Sequence, residues 1–128
     1  MKTKQECNYL MSTIRWSDSS LERVVVDYDS VTIELKESTG RVAQVRFLGH
    51  ISLHWRGHWD ENIVEKYSID SDTKSINNAL QAVVKNYEDN PPDGGGTRSF
   101  KGPWYSFLVE LIDSETIEVI AQDVEVEF

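Results

Sequence analysis

Apolar and polar side chains alternate with a period of two along much of this chain. Val31, Ile33 and Leu35 are separated by Thr32, Glu34 and Lys36, the pattern of a strand with one face buried and one wet. From about Arg41 the same rhythm continues much further. Val45, Phe47, Ile51, Leu53 and Trp55 take odd positions, while Gln44, Arg46, His50, Ser52, His54 and Arg56 take even ones. This predicts one long strand, or two strands broken at Gly49, where glycine permits a bulge or sharp bend; parity places Trp55 in the core. Leu21–Tyr28 contains the β-branched run Val24, Val25 and Val26, which predicts a buried strand. Ile63–Ile69 predicts a further strand. In Trp104–Ile112, Tyr105, Phe107, Val109 and Leu111 share one side. Thr116–Phe128 begins with odd apolar positions, Ile117 and Val119, and ends with even ones, Val124, Val126 and Phe128. A bulge near Ala121–Asp123 accounts for that switch.

Turn-forming residues punctuate these runs at Asp18-Ser19-Ser20, Asp29-Ser30, Ser38-Thr39-Gly40 and Asp113-Ser114-Glu115. Only one segment has strong helical spacing. Ile76, Leu80, Val83, Val84 and Tyr87 form a stripe opposite Lys74, Asn78, Gln81 and Lys85, predicting a helix over Thr73–Tyr87 with its N-cap among Asp70–Asp72. A short N-terminal helix is expected within residues 5–16. The expected architecture is a single α+β domain over residues 1–128: a curved, mostly antiparallel sheet whose inner face packs against one main helix at about residues 73–88.

Composition narrows the classes of partner. The 128 residues include 22 acidic and 13 basic side chains, for a formal charge of −9. That balance argues against direct nucleic-acid binding, which needs a basic surface, and favours basic partners. No basic residue follows Lys101, whereas Glu110, Asp113, Glu115, Glu118, Asp123, Glu125 and Glu127 do. Such a tail serves either as a solvated, aggregation-resistant face or as a surface for a basic protein. No apolar run reaches the ~20 residues of a membrane helix. The N-terminal segment lacks the apolar stretch of a secretory leader, so a cytoplasmic setting is expected, without a membrane partner. The single Cys7 is expected to be a structural thiol.

All three histidines fall in LGHISLHWRGHWDE, at His50, His54 and His58, four residues apart. On a helix that spacing gathers ligands around one metal ion. On a strand it separates them by about 13 Å. The alternation of Ile51, Leu53 and Trp55 favours the strand, so neither a metal nor another cofactor is expected. The Gly-rich segment in NPPDGGGTRSFKGP, residues 90–103, follows a helix and precedes a strand. A phosphate-binding loop has the opposite context, so a binding loop on the surface is the expectation.

The stretches VVVDYDSVTIELKESTGRVAQVRFLG, WDENIVEKYSI and WYSFLVELIDSETIEVIAQDVEVEF together resemble, in strand order and style, small acidic bacterial immunity proteins of polymorphic toxin systems. The resemblance covers most of the chain after Leu21 and implies a non-enzymatic inhibitor that binds and masks a toxin domain, often a basic nuclease. Trp59, Asp60, Glu61 and Trp104, with Glu118, Glu125 and Glu127 of the acidic tail, are the expected partner-binding residues, because exposed aromatic side chains anchor interfaces and acids steer basic partners. No catalytic residue is assigned. The alternative is a small ligand-binding protein or hydrolase in which His50, His54 and His58 meet carboxylates in a pocket between sheet and helix.

Overall fold

The computed structural model describes residues 1–56, 62–89 and 101–128. Helix α1 spans Lys4–Ser12 and is followed by β1 (Ser20–Val26), β2 (Ser30–Lys36), β3 (Val42–Leu48), β4 (Ser52–Arg56) and β5 (Val64–Asp70). Helix α2 (Lys74–Asp89) comes next, and β6 (Tyr105–Leu111), β7 (Thr116–Ala121) and β8 (Asp123–Glu127) complete the chain. The α+β class and the antiparallel pairing are as expected. The sheet is divided, however: one four-stranded sheet has the order β1-β2-β3-β8 and the other β4-β7-β6-β5.

Two bends make that division. β3 pairs with β8 in the first sheet and β4 pairs with β7 in the second, so the ribbon formed by β3–β4 against β7–β8 passes from one sheet to the other. Both partners bend at the same level. Gly49 adopts φ +66, and its place across from Gln122 is held by hydrogen bonds from Gln122 N to Leu48 O (3.0 Å) and from Ile51 N to Ile120 O (2.9 Å). The break at Gly49 and the parity switch near Ala121–Asp123 are thus a single corner.

The core lies between the sheets. Val31, Ile33, Leu35, Ala43, Val45, Phe47 and Val124 from the first meet Phe107, Val109, Leu111, Ile117, Val119 and Ala121 from the second, all essentially buried. The Phe47 and Phe107 rings touch across the gap with centroids 4.9 Å apart. Helix α1 is bound into this core by buried Cys7 and Met11. It begins at a capping box, in which Thr3 Oγ1 accepts from Glu6 N and Glu6 Oε1 accepts from Thr3 N. It ends where Trp16 Nε1 donates to Met11 O at 2.7 Å.

The main helix plays a smaller part than its stripe predicts. Ile76 is the residue of α2 that is fully buried, and Leu80, Val83, Val84 and Tyr87 are only half-buried. Ile76 and Ile120 are both buried yet lie outside the central cluster. Since Ile120 alternates with core-facing Val119 and Ala121, α2 packs on the outer face of the second sheet, and the inner face is covered by the opposing sheet. The N-cap is Thr73, whose Oγ1 accepts from Ile76 N; Asp72 takes φ +57 just before it. Two strand expectations are also corrected. The valine run of β1 lies on a sheet edge, with Val26 55% exposed, and Trp55 is 51% exposed. Parity aims Val26 and Trp55 toward the core side, but both stand near strand ends on edge strands.

Candidate protein-binding surface

The corner brings several segments together. The β1–β2 hairpin closes through Asp27 N donating to Ser30 O at 2.8 Å, leaving Tyr28 and Asp29 at its tip. The tip is fastened to the corner by Gly49 N donating to Asp29 O at 2.8 Å. Tyr28 is 99% exposed and stands between exposed Asp27 and Asp29. On the other side of the corner, Gln122 Nε2 donates to Lys101 O at 2.9 Å. The turn expected at Asp29-Ser30 falls here one residue earlier, at Tyr28-Asp29. The legible signal was Asp-Tyr-Asp between two strands, an aromatic residue at a turn with no buried face to serve.

His50 sits inside the bend rather than on a strand, and half-buried. It lines a groove of about 460 Å³ with Ser52, Ala79, Ala82, Val83, Asn86 and Tyr87, between the start of β4 and α2. Its Nδ1 is buried and has no hydrogen-bond partner among the described residues. His54 is exposed on the outer face of β4, directly opposite Glu118 on β7. His58 lies outside the described residues, as do Trp59, Asp60 and Glu61. Among the described residues, no group of three or more His, Cys, Asp or Glu side chains is arranged to hold a metal ion.

The remaining expected contact residues are dispersed. Trp104 is half-buried immediately before β6. Glu118 lies on the outer face of the second sheet and accepts from Ser106 Oγ at 2.8 Å. Glu125 and Glu127 are exposed on the outer face of the first sheet, where Glu125 is opposite Arg46 and Glu127 opposite Gln44. Gln44 in turn donates to Glu34 at 3.2 Å. Glu118 and the two terminal glutamates therefore face away from each other, and the acidic β8 shares its surface with a basic neighbour.

Two chemistry-bearing groups are committed to the fold. Burial pushes the Cys7 thiol up to about 11, which leaves little of the reactive thiolate at neutral pH. Glu37 is buried in the β2–β3 turn. It accepts from Arg41 Nη2 at 2.9 Å and from Arg15 N at 2.7 Å, and a further bond from Arg41 Nε makes the pair bidentate. The Arg41 guanidinium holds the Glu37 carboxyl down at about 2. It also donates to Thr13 O at 3.1 Å and lies 3.8 Å over the Phe128 ring. This cluster ties α1, the hairpin turn and the end of β8 together, and its charges are matched internally.

What the corner offers a partner is an exposed aromatic side chain framed by carboxylates, on a hairpin anchored in the core by Val31 and Ile33. Among the described residues, no helix is long and apolar enough to cross a membrane. Comparison with protein-family models, with characterised proteins and with solved structures finds no match to this chain.

Proposed function

We propose that this chain is a non-enzymatic, cytoplasmic protein-binding module that covers a basic partner, in the manner of an immunity protein masking a bacterial toxin domain. The observation that carries the reading is the Asp27–Tyr28–Asp29 tip on a chain of net charge −9. A tyrosine brings a large, amphipathic contact area that is stiff for its size. Flanking carboxylates and the overall negative field raise the rate of encounter with a basic surface. Trp59, Asp60 and Glu61 are proposed as further contacts on residue type alone, an aromatic side chain beside two carboxylates.

The test is capture from the native host, followed by binding kinetics with the recovered basic protein. The expected association rate falls steeply with salt, Asp27→Asn with Asp29→Asn slows association further, and Tyr28→Ala weakens affinity by about tenfold or more. Recovery of no basic partner, together with a neighbouring gene unrelated to toxins, sinks the proposal. A second reading, a small-ligand site, draws on the groove at His50, whose buried Nδ1 offers a polar contact. It expects any small polar compound that raises Tm to lose that effect in His50→Ala.

A further inference from the structure

β1 is the edge strand of the first sheet, and its two halves differ. At the start, Leu21 N donates to Asn62 O at 2.8 Å and Asn62 Nδ2 donates to Leu21 O at 3.1 Å, so that half of the edge is occupied. The second half, Arg23–Val26, has no strand beside it among the described residues. Natural edges are usually blunted by proline, an inward-pointing charge or a bulge. Here the bulge lies at Leu21/Arg23, before the open half, and the core-facing residues of that half are Val24 and Val26.

The direction of the backbone groups follows from the ladder. In an antiparallel pair, residues alternate between facing the partner strand and facing away. Asp27 faces β2, because its N–H is bonded to Ser30 O. Val25 then faces β2 as well, and Val24 and Val26 present their N–H and C=O groups to the open edge. We propose that this edge pairs with the same edge of a second copy, antiparallel, on a two-fold axis at Val25. In that register Val24 meets Val26 of the second copy, and both carry outward-facing groups, so each pair exchanges two backbone hydrogen bonds. Arg23 meets Asp27 of the second copy, with opposite charges facing directly. The sequence Arg23-Val24-Val25-Val26-Asp27 is thus self-complementary in hydrogen bonding, apolar contact and charge, as a two-fold interface requires. The half-exposed Val26 gains cover. Each Tyr28 lies three residues from the axis, so the two tips stand about 20 Å apart and stay free for another partner.

Sedimentation of the full chain across a range of concentration tests this directly, with a rise from one-chain to two-chain mass expected. Arg23→Asp places like charges opposite each other twice and should raise the dimer dissociation constant about tenfold or more; adding Asp27→Arg should restore it. Val25→Cys provides a test that survives any loss of stability in the charge variants. The two Val25 positions face each other at a non-hydrogen-bonded site, with Cα atoms about 4.5 Å apart, inside the range a disulfide spans. Mild oxidation should join Val25→Cys chains and leave Val24→Cys chains single, since buried Cys7 does not compete. A one-chain mass at every concentration overturns the proposal. So does a dimer indifferent to Arg23→Asp, or cross-linking of Val24→Cys as fast as of Val25→Cys.

Discussion

Replacing Glu37 by glutamine keeps the shape of the side chain and removes its charge. The carboxyl is 1% exposed and faces Arg41. A group that ordinarily titrates at 4.5 is held here at about 2, a difference worth about 3 kcal/mol at about 1.4 kcal/mol per pH unit. Arg41 is half in solvent, which weakens the pair, so the expected loss near neutral pH is about 1–3 kcal/mol. In the unfolded chain Glu37 takes up its proton near 4.5, and in the fold only near 2. Between those values the unfolded state binds more protons. The stabilisation is therefore complete above the unfolded value and drains away as pH falls through this window. Urea unfolding of both proteins, followed by tryptophan fluorescence at stepped pH, reads the effect. The gap between them should be largest near neutrality and should close toward acid. A gap that stays constant down to about pH 3, or one below about 0.5 kcal/mol throughout, would refute the assignment of this stability to the ionised carboxylate.

Three further substitutions test the architecture. Phe107→Ala should cost about 3–5 kcal/mol in urea denaturation and Val84→Ala less than about 1 kcal/mol, because the core lies between the sheets and α2 is peripheral; similar costs would return α2 to the core. Gly49→Ala should lower stability by about 1–3 kcal/mol, since φ is +66 and the added Cβ would lie 2.9 Å from Gln122 Oε1. Combining it with Gln122→Ala should recover only the part due to the clash, read as a partial return of Tm.

The strands were legible because half-buried positions repeat at two, and that pattern survives in Ile33, Phe47 and Phe107. The division into two sheets was harder to read. Across Gln122 the apolar parity switches from Val119 and Ala121 to Val124 and Val126, so that bend left a mark. Across Gly49 it does not switch: Phe47 and Leu53 are both odd, because the break preserves the even spacing. Trp55 shows the complementary failure. Parity reports which way a residue faces, while burial also requires something opposite, and that depends on where the other sheet ends. The stripe of α2 misled for the same reason, since a half-buried helix on an outer face carries the same periodicity as one in a core. For the candidate surface, Glu118, Glu125 and Glu127 were correctly seen as acidic strand positions, but a one-dimensional pattern held no information that they belong to opposite faces.

On the proposed reading, the β1–β2 hairpin separates folding from recognition within a few residues, and that separation can be measured. Val31 and Ile33 are fully buried and fix the hairpin to the core, while Tyr28 makes almost no contact with its own chain. A side chain 99% exposed has no burial to lose, so Tyr28→Ala should change stability by less than about 0.5 kcal/mol. Val31→Ala removes two methyl groups from a packed interior and should cost about 2–3 kcal/mol. If Tyr28 serves a partner, its replacement reduces affinity and leaves the urea midpoint where it was. A Tyr28→Ala variant that instead lowers the midpoint as far as Val31→Ala would place Tyr28 in the scaffold, and the corner would lose its claim to be a recognition surface.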